Sequence, residues 1–67
     1  MITNVSKDQT RVVVYVEGAN SLMEAHDAAV ALVKANAEKE VASYASADSV
    51  DDNGVLHFWM TGVYAVE

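Results

Sequence analysis

The chain of 67 residues contains no cysteine and no proline, and it has only three glycines. Without cysteine it can form neither a disulfide bond nor a thiolate metal site, the usual means of stabilising so small a domain. A chain of this length buries only about 60% of the surface that its unfolded form exposes. We therefore expect one small domain over residues 1–67, stabilised further by self-association or by docking to a partner.

Basic residues are also scarce, because four Lys and Arg stand against ten Asp and Glu and give a formal net charge of -6. This charge opposes direct binding to nucleic acid and to anionic membranes. An electrostatically steered partner is therefore expected to be a basic protein. Acidity also keeps a small protein in solution, so the charge by itself leaves open whether it serves binding or only solubility.

The first third of the chain predicts one strand. Residues 1–10 are polar and show no sustained period, so we expect a flexible lead-in or an extension at a sheet edge. Residues 11–17 are rich in valine and place Val12, Val14 and Val16 on one face, with polar and aromatic residues mainly on the other. This pattern is typical of a β-strand. Neither a basic, apolar leader nor a cysteine is present, and this predicts a cytoplasmic protein.

A helix is predicted over about residues 21–39. Ser21 and Glu24 have the spacing of a capping box, and the segment that follows is rich in Ala, Leu, Glu and Lys. Seven of its residues share one apolar stripe: Leu22, Ala25, His26, Ala29, Leu32, Val33 and Ala37. We expect this stripe to pack on a sheet.

A hairpin is predicted over about residues 41–66, with its turn at Asp51-Asp52-Asn53-Gly54. The Asn-Gly pair suits a two-residue turn, whereas the four residues together suit a type I turn followed by a glycine bulge. The two alternatives differ by one residue in register, so they turn opposite faces of the second predicted strand inward. The sequence leaves both open.

The segment Val55–Val66 has no charged residue and holds the only Trp and the only Phe of the chain. It is too short to cross a bilayer, which takes about 20 apolar residues, and it is better interpreted as a buried central strand. The predicted fold is α+β, a single βαββ domain. Its three-stranded antiparallel sheet has the order 2-3-1, and one helix packs on one face.

Alternation divides this central strand into two faces, of which one helix can cover only one. The residues expected on the helix side are Leu56, Phe58, Met60, Tyr64 and Val66. The other face carries His57, Trp59 and Val63 beside Tyr15 of the first strand. An uncovered apolar face is typical of an interface, so we expect these four residues to contact a partner, with Trp59 as the anchor. A fold of the N-terminal arm over this face is the alternative.

Carboxylates complete the predicted binding site. The acidic residues assigned to it are Asp48, Asp51, Asp52, Glu24, Asp27 and Glu38. The turn lacks the alternating ligands and terminal Glu of a calcium loop, so no metal is expected. Two histidines and scattered serines without a nucleophile motif do not make a catalytic site or a zinc site. We therefore expect no enzyme activity and no cofactor.

A short, acidic chain without cysteine or proline that folds as one βαββ unit resembles the small inhibitors encoded by phages and mobile elements, the anti-CRISPR type among them. The resemblance is to the class, extends over the whole chain and rests on no motif. It implies a stoichiometric inhibitor that occupies a nucleic-acid groove or a subunit contact on a basic, nucleic-acid-binding host complex. The alternative is a homodimeric accessory protein joined through the outer sheet face.

Overall fold

The elements follow one another as strand, strand, helix, strand, strand. In the computed structural model, which describes residues 1–66, β1 spans Ile2–Lys7, β2 Arg11–Glu17, α1 Leu22–Asn36, β3 Val41–Val50 and β4 Leu56–Tyr64. The strands form one sheet in the order β1-β2-β4-β3, and every neighbouring pair is antiparallel. The protein is a small α+β domain with ββαββ topology, and α1 packs over β2 and β4.

The predicted central position of the apolar strand is confirmed, because β4 lies between β2 and β3. The prediction of a three-stranded sheet is wrong, since residues 2–7 form a fourth strand, β1, that pairs with β2 along its whole length. Val5 is the one partly buried residue of β1. Backbone hydrogen bonds therefore hold this edge strand, and its hydrophobic pattern gives little sign of it.

Helix α1 begins where the capping box predicts. The Ser21 hydroxyl accepts a hydrogen bond from the backbone N–H of Glu24 at 3.1 Å, which satisfies one of the open donors of the first turn. The helix ends at Asn36 rather than near residue 39, because Ala37 takes an extended conformation with φ -66° and ψ 133°. The chain turns there toward β3.

The buried core lies between α1 and the two central strands. It consists of Val12, Val14, Val16, Ala25, Ala29, Val33, Phe58, Met60 and Tyr64. A Cβ atom on Gly62 would lie only 2.9 Å from Val33 Cγ1, so this glycine lets α1 approach β4 closely. Two residues of the predicted apolar stripe, Leu22 and His26, are exposed, since the first turns of α1 stand beside the exposed strand β3, although the His26 ring still lies edge-on to the Phe58 ring, with centroids 6.1 Å apart. Val66 is 98% exposed because it lies beyond the end of β4.

The turn between β3 and β4 takes the glycine-bulge form. The N–H of Gly54 bonds to the carbonyl of Asp51 at 3.0 Å, and the N–H of Asp51 bonds to the carbonyl of Val55 at 3.1 Å. Gly54 has φ +80°, whereas no residue other than glycine has a positive φ in the described chain, which excludes the two-residue Asn-Gly turn. Tyr44, Ser46, Asp48 and Val50 therefore lie on the helix side of the sheet, opposite Gly62, Met60, Phe58 and Leu56.

Candidate functional site

Charge is divided between the two ends of a molecule that is 43 Å long. The strand registers bring the β3–β4 turn, the end of β2 and the start of α1 to one end. The carboxylates at this acidic end are Glu17, Glu24, Asp27, Asp48, Asp51 and Asp52. The opposite end, the lysine end, holds Lys7, Arg11, Lys34 and Lys39 together with Asp8, Glu38 and Glu40. Every Lys and Arg of residues 1–66 thus lies away from the acidic end.

A row of aromatic rings crosses the outer face of the sheet, which α1 does not cover. Tyr15 and Trp59 are direct partners in the register of β2 and β4, and their ring centroids are 5.4 Å apart. The His57 ring stacks 6.1 Å from Tyr15 and 6.2 Å from Trp59. Trp59 is 40% exposed. The structure therefore brings three of the predicted binding residues together and leaves the largest of them accessible.

Two carboxylates hold this row at its acidic end. The Tyr15 hydroxyl donates to Glu17 Oε1 at 2.6 Å and lies 2.6 Å from His57 Nδ1. His57 Nε2 lies 2.9 Å from Asp51 Oδ2. These contacts join Tyr15, Glu17, His57 and Asp51 into one hydrogen-bonded network.

The network shifts the acidity of two of its members. The hydrogen bond to Glu17, followed by desolvation and by the charges of Glu17 and Asp51, raises the pKa of Tyr15 to about 12. The hydrogen bond from His57 lowers the pKa of Asp51, and the backbone N–H of Val55 contributes in the same direction. Both pKa shifts reinforce the ordinary states of these groups at neutral pH, a hydroxyl on Tyr15 and a carboxylate on Asp51.

The carboxylates outside this network are more open. Asp52 lies at the tip of the turn, and Asp48 lies on the helix side opposite Phe58. Glu24 and Asp27 are exposed on the first half of α1. Among the described residues no hydrogen bond or salt bridge engages the carboxylates of Asp48, Asp52 or Glu24. These predicted binding residues are therefore available to a cationic partner.

Two other predicted residues lie apart from the acidic end. Val63 is on the outer face, but it pairs with Arg11 at the lysine end. Glu38 also lies there, and its Oε1 is 3.2 Å from Lys7 Nζ. The structure therefore does not bring Glu38 together with the other predicted carboxylates.

A groove runs along the helix side of the acidic end, between α1 and β3. It has a volume of about 530 Å³ and is lined by Leu22, Met23, His26, Ser46, Asp48 and Phe58. Leu22 is 50% exposed and Met23 is 75% exposed. The groove exists because α1 lies over β2 and β4, whereas β3 carries mostly small or polar side chains and is exposed from Ala42 to Val50.

Sequence reasoning missed this groove and the part played by Glu17. The register that sets Glu17 opposite His57 depends on strand pairing, which the sequence does not fix. The signal for the groove is present in the sequence as Met23, a large apolar residue outside the predicted stripe of α1. A stray apolar residue of this kind on the first turn of a helix gives only a weak indication of a surface site.

Several classes of site are absent from the part of the chain that the structure describes. Residues 1–66 contain no group of three or more His, Cys, Asp or Glu side chains arranged to hold a metal ion. In the same residues no helix is long and apolar enough to cross a membrane. Comparisons with protein-family models, with curated proteins and with solved structures give no match to this chain.

Proposed function

We propose that the protein is a non-catalytic binding module that docks on a basic protein through its acidic end. The observation that carries this proposal is the separation of charge: six carboxylates share one end, and all four Lys and Arg lie at the other. An even distribution would serve solubility equally well. A concentrated field, by contrast, orients a cationic partner and speeds its association.

The acidic end offers apolar contact as well as charge. Trp59 and Tyr15 form an open aromatic surface on the outer face, on which an arginine side chain can stack. Asp52 lies at the tip of the β3–β4 turn at the same end of the molecule, and its carboxylate can pair with a guanidinium group. Large aromatic side chains commonly dominate the energy of an interface. We therefore assign the anchoring role to Trp59.

The proposed partner class is a nucleic-acid-binding protein or complex. Such proteins expose rows of Lys and Arg that bind phosphates, and carboxylates on a rigid hairpin and helix can occupy the same row. The protein then acts as a stoichiometric inhibitor of the phage or anti-CRISPR type, which excludes nucleic acid or a subunit from the groove. Its action needs neither a cofactor nor a metal.

Charge reversal at each end tests the proposal. The probe is a fluorescent arginine-rich peptide, and its affinity is measured by polarisation across a salt titration. Asp27→Lys with Asp52→Lys reverses two of the six charges at the acidic end without removing the turn-capping Asp51, and we expect it to weaken binding at least about tenfold. The control, Glu38→Lys with Glu40→Lys, carries the same net charge and should bind nearly as the unaltered protein does. Equal losses in both variants would contradict an acidic-end site.

Capture from lysate extends the same comparison to natural partners. Nucleic-acid-binding complexes retained by the unaltered protein should be lost in the acidic-end variant and kept in the lysine-end control. Retention that neither salt nor the acidic-end variant reduces would exclude electrostatic docking.

A homodimer joined through the outer face is the second candidate, and the observation that favours it is the 40% exposure of Trp59 on a face that no element covers. Such a dimer would bury the aromatic row between two sheets. Trp59→Lys would then abolish self-association in sedimentation experiments. Self-association that survives this substitution excludes the outer-face dimer.

A further inference from the structure

The two edge strands of the sheet differ in how they are protected. β1 has six residues and includes Lys7, and short strands with lysine are common protection against edge-to-edge pairing. β3 has ten residues with neither lysine nor proline, and Asp48 is its only charge. Every residue from Ala42 to Val50 is exposed. β3 is therefore a long edge that the chain leaves open to another strand.

The direction of the free backbone groups on β3 follows from the hydrogen bonds around β4. The N–H of Gly18 bonds to the carbonyl of Leu56, so Leu56 and alternate residues after it bond toward β2. The residues between them bond toward β3, in agreement with the bond from Ala65 N–H to the Glu40 carbonyl. The register then leaves the following residues of β3 with outward N–H and C=O groups: Tyr44, Ser46, Asp48 and Val50.

We propose that this edge binds a second copy of the chain, with the two β3 strands antiparallel about a two-fold axis at Ser46. The outward groups then bond in pairs, Ser46 to Ser46 and Tyr44 to Asp48, along the regular part of the strand after its irregularity near Val41. This register keeps the two Asp48 carboxylates from facing each other. Two-fold pairing uses the β3 edge of both copies, so neither copy has a free β3 edge left. The assembly therefore stops at a dimer with one continuous sheet.

The groove beside α1 supplies the side-chain contact for this dimer. In the proposed register, Tyr44 of the second copy lies opposite Asp48 on the helix side, at the open side of the groove. Its ring, which is 46% exposed in a single chain, can pack against Met23 and Leu22, and its hydroxyl can donate to Asp48. The exposed apolar side chains of the groove and of β3 then cover one another.

The charge distribution agrees with antiparallel pairing. Such pairing sets the acidic end of one copy beside the lysine end of the other, so the two acidic ends point away from each other. The molecule is 43 Å long, several times the screening length of about 8 Å at physiological salt. Electrostatic repulsion between the two copies is therefore weaker in the antiparallel dimer than in any dimer that brings the two acidic ends together.

Substitution at the two-fold axis tests the proposal by sedimentation velocity, without any other partner. The unaltered protein is expected to sediment as a dimer of the 7.2 kDa chain at about 100 µM. Ser46→Lys and Ser46→Glu each place like charges opposite each other and should each be monomeric. A one-to-one mixture of the two should recover the dimer, which also shows that both variants fold. Ser43→Lys, on the outer face of the same strand, is the matched control and should stay dimeric.

Disulfide capture gives a second measurement in a chain that has no cysteine of its own. Hydrogen-bonded partners in an antiparallel pair have Cα atoms about 5.5 Å apart, within the range that a disulfide spans. Ser46→Cys should therefore cross-link under mild oxidation, and Ser43→Cys should not. The proposal is overturned by a monomeric unaltered protein, by equal dissociation in Ser46→Lys and Ser43→Lys, or by a mixture that fails to reassemble. A dimer that only Trp59→Lys dissociates also overturns it, in favour of the outer face.

Discussion

The two ends of the sheet use charge in different ways. At the lysine end, charges meet within the chain: Lys7 pairs with Glu38 at 3.2 Å, and Lys39 lies 5.9 Å from the centre of the Tyr64 ring. At the acidic end, Asp51 is engaged with His57, whereas Asp52 and other carboxylates point to solvent. The net charge of the chain therefore does not describe how its charges are distributed. One end is largely neutralised, and the other leaves most of its carboxylates exposed to solvent.

The ends also differ in what stabilises them. At the lysine end, α1 presses on β4 where Gly62 has no side chain, with Val33 and Val41 against it. At the acidic end, a hydrogen-bonded turn around Asp51 closes the hairpin, and the adjacent part of β3 is exposed. A close helix–strand contact thus marks one end and a hydrogen-bonded turn marks the other. The exposed carboxylates at the acidic end can be altered with little effect on the core.

The largest effect is expected from added bulk at the lysine end. Gly62→Ala places a Cβ atom 2.9 Å from Val33 and 3.1 Å from Val41, and overpacking of this kind costs about 1–3 kcal/mol. The matched variant at the other end, Gly54→Ala, meets no atom but forces alanine to φ +80°, which costs about 1–2 kcal/mol. Urea unfolding measures both. A Gly62→Ala variant as stable as the unaltered protein would refute the close helix–strand contact.

A smaller effect is expected in the dependence of stability on pH, and it can be compared between the β1–β2 turn, which contains Asp8, and the β3–β4 turn, which contains Asp51. Asp8 accepts from the Thr10 hydroxyl and from the N–H groups of Thr10 and Arg11, and Asp51 accepts from His57 and from the N–H of Val55. These bonds lower the pKa of both aspartates in the folded protein, most strongly through the Thr10 hydroxyl for Asp8 and through His57 for Asp51.

Because the folded pKa lies below the unfolded value of about 3.9, each aspartate stabilises the fold above that pH. The contribution disappears as the pH falls through the lowered value. Asp51→Asn should therefore be less stable at neutral pH, and its stability should fall less steeply below about pH 4. Asp8→Asn should behave in the same way. Thermal unfolding followed across this pH range checks both variants, and a slope unchanged by either substitution would argue against the turn hydrogen bonds.

The smallest effect is expected from the surface ion pair at the lysine end. Lys7 and Glu38 have side chains that are 42% and 68% exposed, and exposed pairs contribute about 0.5 kcal/mol or less. Lys7→Ala should hardly move the urea midpoint and should leave the affinity for the arginine-rich peptide unchanged. A marked loss of affinity would place part of the binding site at the lysine end.

Local patterns predicted the central elements well. The alternating valines gave β2 its observed bounds, and the spacing of Ser21 and Glu24 located the start of α1. For residues 2–7 the sequence left a flexible lead-in and a position at a sheet edge as alternatives, and β1 is the edge strand. The polar pattern could not decide between them, because an edge strand needs backbone partners more than apolar side chains. The sequence allowed two hairpin registers, and the positive φ of Gly54 alone in the turn identifies the one with the glycine bulge.

The candidate site was harder to predict, because it depends on that register and on how far one helix covers four strands. The aromatic row of Tyr15, His57 and Trp59 was expected from alternation alone, and the structure places these rings side by side. The division of charge between two ends was not expected. It arises because antiparallel strand pairing brings carboxylates that are distant in the sequence to the same end of the molecule. The net charge of the chain does not reveal this arrangement.

The central claim, that the acidic end is the binding end, is tested most directly by amide chemical shifts during titration with the arginine-rich peptide. We predict that the shifts concentrate in residues 21–27 and 48–55 and include the indole N–H of Trp59, while residues 34–40 stay unchanged. Shifts centred on the lysine end, or spread evenly over the sheet, would contradict it.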